Sequence, residues 1–586
     1  MAGRTVRYYD LTGGLNTSQG FGTVNSGTRG TDCIDTFNVE YYKLSGLKSM
    51  EGNKQFGNTL PAQISLGHEY RQGANKYCIV TTTDGKVYEY NKVTNEFDVI
   101  YTFPTSTQRC SACNFNQGVI LSNGVDDLVY YNKGRNTLIN GTMSGEANGT
   151  AITGTNTKFT VELGVGDYIS VDGNTYKITK ITDDTNMEVT PAIVTAFNDV
   201  AGRLTPISEL NATYINSDDE TVNYPIRGLS INTYKGRIFI GANDGNLYYS
   251  ELGLIHGWDV KYGAGAIPAF YNDNSDFTGL GLYGDYLVIH KRDYTYLLAG
   301  NDDPSNWAIT PYADLSCDSQ QSWLSANNAY YVYSRKAGGI YPLLVRTIYI
   351  NNYLGDEISK KIRETFKNVN TALYNQIFPV YHPTKKYIMF YMPMLQGNGS
   401  NYCYIYDLMT KSWLVRIVPQ TVTIAFRYND RIYIGTKDGM VLEEFKGLNF
   451  NGEPIEFSWK SPWFYYGDGT DYLSTREFRC KISEESTNNF YVRNRRDGYD
   501  EYKERNVTNN KPSFQALEWS DDAGEITDTV WDEYEWVESG YLVKRFPLPN
   551  QFFTSQQIEF YGKSLDSGMC LLGFELDRIE LEETPW

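Results

Sequence analysis

Cys110 and Cys113, in the stretch CSAC, stand at the C-x-x-C spacing that holds a metal ion or runs thiol–disulfide exchange. A zinc site wants a second cysteine pair or nearby histidines, and the chain has four His in all, none placed to complete one. The other six cysteines are scattered, so all eight read as reduced thiols. His68-Glu69 opens like H-E-x-x-H, but no second histidine stands four residues on. Ser45 to Lys48 spells S-x-x-K, a pattern too short to carry a reading alone. No phosphate-binding loop and no G-x-S-x-G elbow is present. The Asp84–Gly85, Asp244–Gly245 and Asp438–Gly439 pairs continue as KVYEY, NLYYS and MVLEE, which is hairpin chemistry and not the Asp box of sialic-acid-cleaving propellers. Paired carboxylates for glycoside hydrolysis stay open, because their separation is not written in sequence. The densest acidic stretch, Glu518 to Glu538, has nine acids and no Lys or Arg. It lacks the glycine-centred calcium loop and reads as a solvated or lumen-facing surface. The expectation is a non-enzyme with no cofactor and no metal.

A chain of 586 residues is too long for one hydrophobic core. Its 49 Tyr and 53 Gly favour pleated surfaces and turns, so the fold class is mainly β. The formal net charge of −18 argues against a grip on phosphate backbones, which needs Lys and Arg. No apolar run reaches the roughly 20 residues of a membrane-spanning helix, so no stable membrane insertion is expected. The opening MAGRTVRYYD lacks the apolar stretch of a signal peptide, and the protein is expected to be made in a cytoplasm.

One pattern positions these residues. YCIVTTTDGKVYEYN from Tyr77 is two alternating strands about an Asp-Gly turn, and units from Arg237 and Arg431 repeat it. Looser versions start at Gly118, Asp285, Ala329 and Lys386. The units begin about 40 to 57 residues apart, save for one gap that holds about 65 extra residues. That period predicts a β-propeller of six to seven blades. An irregular antiparallel sandwich array is the competing architecture. The extra piece, 140–204, has turn residues every eight to twelve positions and reads as a small β-barrel inserted in a propeller loop. Ile358, Ile362 and Phe366 recur at fourfold spacing and predict an amphipathic helix packed across the propeller. Four segments follow: 1–139 with the first blades, 140–204 inserted, 205–450 with the remaining blades, and 451–586, a β-sandwich-like domain. The last holds 27 acids against 14 Lys and Arg, a net −13.

The opening LTGGLNTSQ, with Gly13, Gly14, Leu15 and Asn16, is followed by Asn38-Val39 and by Gly46, Leu47 and Gly52. In that order these elements resemble the start of tail hub or nozzle proteins of short-tailed bacteriophages, although Ser49, Met50 and Glu51 stand where a basic residue is usual. The blades from Gly228, Phe277 and Asn401, and the passage GEPIEFSWKSPWF, are similar to successive parts of the same proteins. The inserted piece resembles a small β-barrel module of phage structural proteins. The resemblance implies a virion tail component, assembled in the host cytoplasm, forming a sixfold ring below an adaptor and portal. Such a ring closes the DNA channel until infection. Partners would be further copies of the chain, the adaptor ring and tail fibres, with genomic DNA as passing cargo. Gly13, Gly14, Leu15 and Asn16 then read as a glycine-hinged docking arm. Acidic walls keep a duplex sliding, which predicts that Asp521, Asp522, Glu525, Asp528, Asp532 and Glu533 face the channel or its exit. The alternatives are a carbohydrate-binding or receptor-binding virion propeller and, after it, a propeller glycosidase.

Overall fold

The computed structural model describes residues 3–18, 31–43, 45–210, 213–215, 221–268, 275–343, 356–397, 399–465, 473–483, 486–497, 502–508, 541–547 and 552–580. Each predicted hairpin supplies the second and third strands of an antiparallel sheet. In blade 1, Asn75–Thr82 and Lys86–Asn91 pair across the Asp84–Gly85 turn, flanked by Ile64–Gln72 inside and Glu96–Thr102 outside. Six more sheets follow, their inner strands being Ser111–Phe115, Ser230–Tyr234, Phe277–Tyr283, Trp323–Ala326, Phe378–His382 and Val422–Tyr428. Each inner strand touches the next, and Val422–Tyr428 returns to Ile64–Gln72. The described residues therefore form a closed propeller of seven blades. Closure removes the exposed sheet edges that an open array would leave around the axis.

The ring is shut by a strand from far away in sequence. Asn53–Gln55 is the outer strand of blade 7, pairing Asn53 with Glu444 and Gln55 with Leu442. Arg416, on the outer strand of blade 6, locks it. Its Nε donates to Glu444 Oε2 at 2.6 Å, Nη1 to the Glu51 carbonyl at 2.6 Å and Nη2 to the Gly52 carbonyl at 2.9 Å. Both charged side chains are fully buried, and the guanidinium lies 4.8 Å from the Phe445 ring centre and 4.9 Å from that of Phe450. Tyr391 Oη and Asn53 Nδ2 donate to the two Glu444 oxygens.

The inserted residues leave blade 2 after its third strand, Leu128–Tyr131, and return as its fourth, Arg203–Leu210. Entry and exit run side by side, with Ile139 N donating to Gly202 O and Leu204 N to Thr137 O. The six strands between them surround a separate core that includes Met143, Ile152, Phe159, Ile169, Tyr176 and Val189.

Two further antiparallel sheets face each other at the end of the chain. One joins Leu473–Ser483, Tyr541–Pro547 and Cys570–Glu580 to Gly46–Ser49, Val39–Tyr42 and Gly3–Tyr8. The other joins Ile455–Lys460, Phe490–Arg496, Tyr502–Val507 and Ser555–Ser564 to Asp35–Phe37. The division expected at residue 451 is thus corrected. The opening strands belong to the two-sheet body, because their alternating apolar residues complete its core. Phe560 and Phe574 meet there at 5.4 Å between ring centres. The same cluster runs on into blades 5 and 6 through Tyr333, Phe390, Tyr404 and Trp413, so body and propeller share one core. The predicted helix is made of 3-10 turns over Lys360–Asn368, with Ile362 N bonded to Ser359 O and Val369 N to Phe366 O. Ile362 and Phe366 are buried in that shared core, as their spacing requires.

Replacing Arg416 by Ala leaves Glu444 buried without its cation. Loss of one partner of a buried pair costs about 3–5 kcal/mol, so the denaturant midpoint of R416A is expected to fall well below wild type.

Candidate functional site

Seven inner strands converge on an axis, and the chain entering blade 5 crosses it. Gln320 Oε1 accepts from Leu280 N at 2.7 Å, and its Nε2 donates to the Ile231 and Leu280 carbonyls at 3.0 Å each. Gln321 Nε2 reaches the other way, to Cys110 O at 2.7 Å and Ser65 O at 3.3 Å. Ser322 Oγ donates to Ile377 O at 2.9 Å. Two amides and a hydroxyl thus tie blades 1, 2, 3, 4 and 6 together where those inner strands begin, and they plug the axis at that end.

At the other end the inner strands open around a cavity of about 540 Å³. Its wall carries His68, Glu69 and Arg71 from blade 1, Asn114 from blade 2 and Arg427 from blade 7, over Trp323 and Phe426. Burial holds His68 below the ordinary imidazole range, so the ring is neutral near pH 7. Asn114 Nδ2 donates to Glu69 O, which leaves its Oδ1 to accept from His68 Nε2 at 2.9 Å. Glu69 uses both oxygens, accepting from Arg71 Nε at 3.0 Å and from Asn429 N at 2.7 Å. Among the described residues, Glu69 is the one carboxylate lining this cavity. Glycoside hydrolysis in the usual manner uses two carboxylates flanking the bond, and among the described residues this wall brings one. No spacing in the sequence links these residues; ring closure assembles them.

A serine, a histidine and an aspartate also meet elsewhere. Ser208 Oγ lies 3.1 Å and Asp167 Oδ1 3.2 Å from the same atom, His256 Nε2. A nucleophilic triad needs the base to take the serine proton on one nitrogen while the other is held by the carboxylate. Here Nδ1 is buried without a partner among the described residues, and Ser208 and Asp167 are fully buried. Arg135 Nη2 binds Asp167 Oδ2 at 2.9 Å, and Gly164 N donates to the same oxygen at 2.8 Å. The cluster is the joint between the inserted piece, blade 2 and the loop after blade 3's third strand.

Cys110 and Cys113 fall into different core clusters, so the CSAC spacing brings no thiol pair together. All eight cysteines are buried and unbridged, and burial pushes the Cys113 thiol far up. No group of three or more metal-ligating side chains occurs among the described residues. Lys48 of the S-x-x-K stretch is spent on Glu40 at 3.0 Å.

Gly13, Gly14, Leu15 and Asn16 do not form a free docking arm, and that expectation is corrected. All four are buried. A Cβ on Gly13 would meet Asp32 N at 2.4 Å, and one on Gly14, at φ +78°, would meet Trp413 N at 2.8 Å. Leu15 enters the shared core, and Asn16 Nδ2 donates to Asp32 Oδ2 at 2.8 Å. Lys361 Nζ then binds Asp32 Oδ1 at 2.9 Å. The glycine pair permits close approach at the seam between propeller and two-sheet body. Asp521, Asp522, Glu525, Asp528, Asp532 and Glu533, expected to face a channel, lie outside the described residues.

Gly14→Ala introduces both strain at positive φ and a clash, and is expected to cost about 1–3 kcal/mol in a denaturant melt. Asp167 answers to pH. Burial opposes its charge, but the His256 hydrogen bond and the Arg135 guanidinium hold its carboxyl down at about 2. With a folded value below the ordinary one near 4, its contribution is present above about pH 4 and lost as pH falls towards 2. Acid unfolding in that window should weaken in Asp167→Asn, which loses about 2 kcal/mol at pH 7 and opens the inserted piece to protease.

No protein-family model matches the chain, and no curated protein matches it. Among solved structures, the WD40 β-propeller domain of Doa1 is 11% identical, covering 66% of this chain and 96% of its own, at a TM-score of 0.33. BamB from Moraxella catarrhalis is 12% identical, covering 72% and 96%, at 0.31. The computationally designed Ika8 protein is 10% identical, covering 67% and 99%, at 0.34. By its own closed ring of seven sheets, the chain is a β-propeller protein.

Proposed function

We propose that this chain is a structural subunit of a short-tailed phage tail, forming with further copies the distal ring that holds back the genome and releases it at infection. One observation carries the reading. Of the ordered residues that resemble the hub family, Gly14, Asn38 and Gly52 bind or pack on blade 6 at the seam that fastens propeller to two-sheet body, while Gly46 and Leu47 lie on a strand of that body. Asn38 shows how closely: its backbone takes φ +54°, its Nδ2 donates to Ile417 O and Glu456 O, and its Oδ1 accepts from Ile417 N. A part that must hold its shape under load is served by such a lock. The plugged propeller axis supports the same reading, since it leaves the space between copies as the route for DNA. Heterologous side-to-side contacts closed by rotation would build that ring. A chain at −18 lines such a route without gripping phosphate. No helix among the described residues is long and apolar enough to cross a membrane.

Electron microscopy of the purified protein, with and without the tail adaptor, tests the proposal. A sixfold ring with a central channel, in either sample, is the expected result. Single particles in both samples would overturn it and turn attention to a glycan-binding propeller.

A further inference from the structure

The cavity at the open end of the propeller differs in charge from the rest of the chain. Two guanidiniums, Arg71 and Arg427, stand on adjacent inner strands, against the one carboxylate of Glu69. Glu69 occupies only the Nε of Arg71. Arg427 is exposed, and its side chain makes no ion pair or hydrogen bond among the described residues. At the rim, Asp430 is matched by Lys76 at 3.0 Å. Asp430 also feels Arg427 and Arg71, yet Arg71, Arg427 and Lys76 against Glu69 and Asp430 leave this end of the ring net positive in a protein whose net charge is −18. Two planar guanidiniums with free N–H groups suit a carboxylate, which they can bind in bidentate fashion.

The remaining wall is neutral and of two kinds. Tyr381 and Ser325 bring hydroxyls, beside the Asn114 amide, to donate to or accept from hydroxyl groups. Trp323 and Phe426 give flat apolar surface, and Trp323 is held in place by stacking on Tyr330 at 5.3 Å and 12°. At about 540 Å³ the space lies in the range of small-molecule sites. One end is shut by Gln320 and Gln321, so a ligand enters from one side and stops.

The geometry points to a binding site for a carboxylate-bearing sugar ring, with Arg427 and Arg71 on the carboxylate, Tyr381, Ser325 and Asn114 on the hydroxyls, and Trp323 under the ring. The assignment is to binding: Glu69, the one carboxylate in this wall among the described residues, is engaged by Arg71 and Asn429. The site belongs to the single chain and stands whether or not copies assemble into a ring.

Saturation-transfer NMR on the full chain tests it, with glucuronate and N-acetylneuraminate as the two sources of an acidic ring, glucose as the neutral ring and acetate as the bare carboxylate. Ring-proton saturation of either acidic sugar, at least tenfold tighter than glucose, is expected. Arg427→Ala should weaken that binding at least tenfold, while Lys503→Ala, which removes the same charge on the two-sheet body, should leave it unchanged. Equal binding of glucose, full competition by equimolar acetate, no saturation of either acidic sugar, or unaltered binding in Arg427→Ala would each overturn the assignment.

Discussion

A single buried guanidinium holds the architecture together. Arg416 neutralises Glu444, fixes the carbonyls of Glu51 and Gly52, and so sets the register of the strand that shuts the propeller. Desolvating two charges is expensive, and the arrangement is stable because almost every polar atom around them is bonded and two aromatic rings cover the guanidinium. A pair of apolar residues could fill the same volume, but it could not hold two backbone carbonyls at fixed positions. The charge contributes register more than energy, and register is what a closing strand of three residues otherwise lacks.

From that point the chain is sewn in both directions. Residues before the closing strand run back into the two-sheet body, and residues after it begin blade 1. Glu40 binds Lys48 within the body and Lys385 in blade 6, at 3.0 and 2.8 Å. Asn38 bonds the outer strand of blade 6, and the Gly13–Gly14 pair lets the backbone settle against Ser412 and Trp413. The shared core and these links make one unit of what sequence composition divides in two.

Much of the propeller was legible because its signals are local. An alternating strand, a tight turn and a second alternating strand define a hairpin without reference to the rest of the chain, and all seven such units became the second and third strands of blades. Asn53–Gln55 carried no such signal: three polar residues have no alternation to read, and only the partner in blade 7 makes them a strand. Gly13 and Gly14 were legible as unusual and misread as a hinge, since glycine serves close packing and flexibility alike and sequence does not separate the two. The fourfold spacing of Ile358, Ile362 and Phe366 correctly marked a buried side while leaving the tighter winding unspecified. The axial cavity was beyond reach, because its wall is drawn from positions as far apart as His68 and Arg427. The Ser208, His256 and Asp167 cluster was equally hidden, and its geometry shows why residue types alone are weak evidence for catalysis.

The glutamines on the axis change how the ring responds to damage. Without them each blade would feel only its two neighbours, as in a linear repeat array, where melting starts at one point and spreads stepwise. Gln320, Gln321 and Ser322 add spokes that join blade 5 to blades on every side of the circle. A sector held by a spoke cannot fray without straining bonds across the diameter, which couples six of the seven blades beyond their nearest neighbours. Amides and hydroxyls do not titrate in the working range and are little screened by ions. The bonds made by these spokes are therefore indifferent to acidity and little affected by salt, unlike the Arg416–Glu444 pair that shuts the ring.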